Sequence, residues 1–121
     1  MRLYLSSYRI GDRAGSLLAL LGGCKRAAII ENALDVFSAQ AREVYRAEAY
    51  DPATELASLG IAASLLDLRH YFGRPEALRA ELSRFDFVWV TGGNAFVLRR
   101  AMKQSGFDDV ILDMLGHDEI V

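Results

Sequence analysis

Two hydrophobic rhythms alternate along the chain. Short, nearly continuous apolar runs fall at Arg2–Ser6, Ala27–Glu31, Ala63–Leu68 and Phe85–Thr91. Runs of this length, bounded by turn residues, predict strands. Phe85–Thr91 is the clearest, because β-branched and aromatic side chains fill it. Between the runs the pattern changes to a helical period. It predicts helices over Asp12–Leu21, Phe37–Ala49, Asp51–Leu59, Pro75–Ser83, Ala95–Gln104 and Phe107–Leu115. In the second of these, Ala41, Val44 and Glu48 share a face; in the fourth, Leu78 and Leu82 are four residues apart. Pro52 and Pro75 stand where a helix starts and a missing N–H costs nothing. Asp12 is the expected cap of the first helix, and Gly22–Gly23, Gly60 and Gly106 are expected stops. Glu119–Val121 reads as a further strand that has only begun.

Strand-helix alternation predicts an α/β fold: a mostly parallel sheet in three layers, with helices on both faces, in one domain over residues 1–121. In such sheets ligands bind beyond the carboxyl ends of the strands. The places to search are therefore Ser6–Ser7, Asn32–Asp35, Arg69–Tyr71 and Thr91–Asn94.

Composition narrows the function classes. Hydrophobic residues make up 52% and charged residues 25% of 121, which is globular rather than disordered. The net charge of −2 gives no basic excess for a phosphate backbone, so no nucleic-acid partner is expected. Cys24 is the single cysteine; it cannot form an intrachain disulfide, which fits a reducing cytoplasm. The amino terminus lacks the apolar core of a signal peptide. The run Leu17–Leu21 is far short of the ~20 residues of a membrane span, so no membrane association is expected.

Thr91-Gly92-Gly93-Asn94 follows the best strand and opens a helix. Glycines there let the backbone turn sharply and approach a ligand, and free N–H groups at such a turn suit an anion or a developing oxyanion. Asn94 either caps the helix or donates to a substrate. Dinucleotide, P-loop and G-x-S-x-G fingerprints are absent from the sequence. Ser16 and Ser105 lie at no strand-to-helix turn. His70 and His117 are far apart with no ligand spacing, so neither a metal nor a cofactor is expected. His70 follows a strand and either borders the site or is a loop histidine. Asn32 and Asp35 either line the pocket or cap the helix that starts at Phe37. Cys24 precedes a strand, at the edge of the sheet opposite the expected site.

The ordered run of Met1-Arg-Leu-Tyr-Leu-Ser-Ser-Tyr8, Asn32-Ala-Leu-Asp35, Leu59-Gly60, Leu66-Asp-Leu-Arg69 and Phe85-Asp-Phe-Val-Trp-Val-Thr-Gly-Gly-Asn-Ala-Phe96 resembles the peptidase E family of serine peptidases. The resemblance spans essentially the whole chain, and Thr91–Asn94 with Phe96-Val-Leu-Arg99 is its most specific part. It implies a fold similar to class I glutamine amidotransferases and hydrolysis of short peptides with an amino-terminal aspartate. It also implies an oxyanion hole near Gly92, Gly93 and Asn94. The family's nucleophilic serine lies on an elbow one strand later, and its histidine base lies further on. That elbow strand is expected to begin near Glu119-Ile120-Val121, so no residue here corresponds to either group.

The resemblance therefore implies an incomplete domain, inactive as it stands, with Gly92, Gly93 and Asn94 on the substrate side and Asn32 and His70 as pocket-lining candidates. Uncovered strand edges invite pairing, so a homo-oligomer covering the sheet is expected. The alternatives are a non-catalytic binding or self-associating module of the same fold, and an unrelated flavodoxin-like domain.

Overall fold

Three strands form one parallel sheet in the order β2-β1-β3, with β1 at Arg26–Ile30, β2 at Ala62–Leu65 and β3 at Phe87–Val90. The computed structural model describes residues 1–7, 9–23 and 25–121; Cys24 lies outside them. Ala27 pairs with Ala63 on one side of β1 and with Phe87 on the other.

Alternation along β1 builds two cores. Ala28 and Ile30 point into a cluster with Leu78 and Leu82 of α4 (Pro75–Leu82), Ala101 of α5 (Ala95–Ser105), and Phe107, Val110 and Met114 of α6 (Phe107–Gly116). Ala27 and Ile29 point the other way, onto Leu17 and Leu21 of α1 (Ala14–Leu21) and Leu56 of α3 (Pro52–Ser58). A strand buried on both faces must be apolar throughout, which is why this one reads as a continuous run. The α/β fold with helices on both faces follows directly. Among the described residues no helix is long and apolar enough to cross a membrane.

Several element ends differ from the sequence reading. Arg2–Ser6 forms no strand. Leu3 and Leu5 face solvent and only Tyr4 packs inward, so a single row of side chains holds the segment and no ladder forms. Its anchors are the Arg2 guanidinium on the Leu20 and Asp118 carbonyls and the Tyr4 hydroxyl on the Ile10 carbonyl. A 3₁₀ turn at Gly11–Arg13 precedes α1, and Asp12 makes no cap bond. The β2 strand stops at Leu65 because Asp67 caps a 3₁₀ turn at Leu68–Tyr71. Glu119–Val121 is not a strand, yet Val121 donates to the Asp86 carbonyl and accepts from the Val88 N–H, one parallel bridge on the outer edge of β3.

The remaining helix, α2 at Ala39–Glu48, starts two residues later than expected. Its cap is Ser38, whose hydroxyl accepts from the Ala41 N–H, rather than Asn32 or Asp35. No residue of α2 is buried. Two ion pairs reach from it to the sheet, and these belong to the site.

Candidate active site

The turn after β3 is set by one close approach. Gly93 has φ +150°, and a Cβ there would lie 2.8 Å from the Ala33 carbonyl oxygen. That oxygen accepts the Asn94 N–H at 2.9 Å. The Asn94 side chain then accepts from the Phe96 and Val97 N–H groups and caps α5. Its oxygen is therefore committed to the helix. Thr91 N–H donates to the Ile30 carbonyl. Between these two fixed points, the Gly92 and Gly93 N–H groups donate to no acceptor among the described residues.

Those two glycines border a cleft of about 780 Å³ beyond the carboxyl ends of β1 and β3. Ser6, Ser7 and Thr91 line it from the polar side. Phe37, Tyr45 and Trp89 supply aromatic walls. The Ser6 hydroxyl bonds the Arg9 carbonyl, so it is not a poised nucleophile. Tyr50 also lines the cleft; burial, followed by the neighbouring Glu55 carboxylate, pushes its phenol above its usual value.

A second, charged group of residues stands at the ends of β1 and β2, around a cavity of about 150 Å³. Asn32 is its hub and is 2% exposed. Its Nδ2 donates to Asp35 Oδ2 at 2.7 Å and Asp67 Oδ1 at 2.9 Å, while its Oδ1 accepts from the Leu68 N–H at 3.1 Å. Burial alone would raise the Asp67 carboxyl, but bonds from Arg69, Asn32 and the Arg69 amide outweigh it. They hold Asp67 well below the usual carboxylate range. Arg42 bridges to Asp35 at 3.3 Å and Arg46 to Glu31 at 2.7 Å, which seats α2 over the sheet. The Arg42 Nε is buried without an acceptor among the described residues.

The structure brings together only part of the candidate set. Gly92 and Gly93 lie on the main cleft, Asn94 caps α5 beside them, and Asn32 lies beneath α2 on the smaller cavity. His70 is exposed, with Nε2 3.9 Å from Asp67 Oδ2, and borders neither cavity. His117 meets Asp113 on α6. Ser105 is buried at the α5–α6 junction, where its hydroxyl accepts from the Phe107 N–H. Among the described residues no serine or threonine hydroxyl bonds a histidine, and no three or more His, Cys, Asp or Glu side chains cluster as a metal site would need. The aromatic wall and the two ion pairs were not singled out by the sequence reading. For the part of the wall on α2 the signal was Ala41 and Tyr45, four apart on one helical face; Phe37 precedes the helix and no helical period marks it.

No protein-family model matches this sequence, and no curated protein sequence matches it. Among solved structures, it is similar to the crystal structure of a candidate peptidase E protein from Listeria monocytogenes EGD-e. Identity is 27% and the TM-score is 0.60, over 77% of this chain and 42% of that one. The chain thus spans less than half the length of the protein it matches, and over that part it shares the same α/β fold.

Proposed function

We propose that this chain forms the substrate-binding side of a peptidase E-like site. A short peptide lies in the main cleft, with one carbonyl oxygen accepting from the Gly92 and Gly93 N–H groups. The observation that carries this reading is the pair of amides left without acceptors at the carboxyl end of β3. Such donors stabilise the charge that gathers on a carbonyl oxygen when a nucleophile adds to its carbon. The likeness to a peptidase E structure supports the same reaction class. The substrates on this reading are short peptides with an amino-terminal aspartate.

Addition to the carbonyl also needs a nucleophile and a base within hydrogen-bond reach of one another. The described residues hold no such pair, so this chain binds peptide and does not turn it over. Open strand edges at β2 and at Val90 of β3 are the surfaces through which a second copy would pair. The test is to follow release of aspartate from Asp-Leu across the column profile of the purified chain. No release above background is expected; steady release that tracks the protein peak would overturn the non-catalytic reading.

A further inference from the structure

The geometry points to an apolar subsite beside the Gly92–Gly93 amides, one that receives a large hydrophobic side chain of the bound peptide. This rests on the peptide-binding reading and adds what that peptide must carry.

The wall comes largely from one face of α2 and from Phe37, two residues before it. Ala41 and Tyr45 are four apart in α2 and so share a face, and Phe37, in the turn before the helix, borders the same cleft. Trp89 and Leu98 also line the cleft. Phe37 is 56% exposed and so presents apolar surface at the cleft. Ala41, one turn before Tyr45, carries only a methyl group and so leaves a gap in the wall at that point. A cleft of about 780 Å³ is within the range that encloses a compound the size of a dipeptide.

Charge at this edge argues for the same class of ligand. Arg42 is engaged with Asp35, Arg46 with Glu31 and Arg69 with Asp67. The acceptor-free Nε of Arg42 is buried out of reach. The wall thus offers no accessible free cation among its described residues, and a carboxylate placed against Phe37 would lose water without gaining a charge partner. An apolar side chain loses nothing there. A peptide of the form Asp-Phe would therefore put its phenylalanine, not its aspartate, against Phe37 and Tyr45.

Trp89 is the single tryptophan and lies on the cleft, so its emission reads occupancy directly. Asp-Phe and Asp-Ser are titrated into the full chain while that emission is followed. Asp-Phe is expected to bind about ten-fold tighter, the gain from burying an aromatic side chain. Ala41→Phe, which fills the gap from an exposed helix position, is expected to abolish the difference while circular dichroism and unfolding midpoint stay unchanged. Equal affinities for the two peptides would overturn the subsite and leave the amide reading standing. Binding of neither peptide would overturn both.

Discussion

Gly93 and Ala33 meet backbone to backbone, so closely that a single added methyl would collide with the Ala33 carbonyl oxygen at 2.8 Å. The contact locks the loop after β1 to the turn after β3. Gly92 and Gly93 border the cleft there, and their N–H groups meet no acceptor among the described residues.

Gly93→Ala is therefore expected to destabilise the fold by about 2 kcal/mol, combining a strained φ with displacement of the Ala33 backbone. Gly92 has open space around it and no positive φ. Gly92→Ala is expected to stay within about 0.5 kcal/mol of the parent. Urea unfolding of both variants checks the contrast; equal losses would contradict the account of the turn.

Arg46 reaches the nearly buried Glu31 at 2.7 Å, and α2 buries no residue of its own. Removing the cation strands a carboxylate that is only 8% exposed. Arg46→Ala is expected to cost about 2 kcal/mol, between the values for exposed and buried pairs. Amide exchange in α2 should accelerate more than in α5. Uniform acceleration would mean that the ion pair does not seat α2.

Asp67 gives a pH dependence with a defined sign. Its carboxyl is held below the usual range in the folded chain, so its ionised form favours folding. That contribution is present above the unfolded value of about 3.9 and is lost as pH falls through the lower folded value. Asp67→Asn should therefore lower the unfolding midpoint at pH 7 and lower it progressively less below about pH 4. A difference that stays constant down to pH 2 would contradict the assignment.

The Asn94 side chain accepts from two N–H groups of α5, and its backbone N–H donates to the Ala33 carbonyl. Asn94→Ala is expected to cost about 1 kcal/mol and Asn94→Asp close to nothing. Neither should change peptide affinity more than about two-fold once the protein is folded. A large affinity loss in the folded Asn94→Asp variant would show that the side chain meets the ligand.

The sheet was legible in the sequence because a strand buried on both faces has to be apolar throughout. The apolar run at Ala27–Glu31 and the β-branched and aromatic run at Phe85–Thr91, with its flanking turn residues, located the strands found at Arg26–Ile30 and Phe87–Val90. Arg2–Ser6 carried the same signal and is not a strand, since local pattern says nothing of whether a partner edge exists. The Thr91–Asn94 turn announced itself through its glycines. The role of Asn32 did not, because its partners Asp67 and Leu68 lie 35 and 36 residues away and meet it only after β1 and β2 pair. The aromatic wall was missed for a related reason: the sequence pattern put Ala41, Val44 and Glu48 on one face of the helix, whereas α2 buries no residue, and Tyr45 and Phe37 border the cleft.

The most direct test of the central claim is a titration of Asp-Leu into ¹⁵N-labelled protein, following the backbone amides of Gly92 and Gly93. Both resonances are expected to shift saturably and together, with the Ala28 amide inside the sheet unmoved. If the peptide shifts other amides and leaves Gly92 and Gly93 where they were, those donors do not hold a peptide carbonyl and the proposed site is wrong.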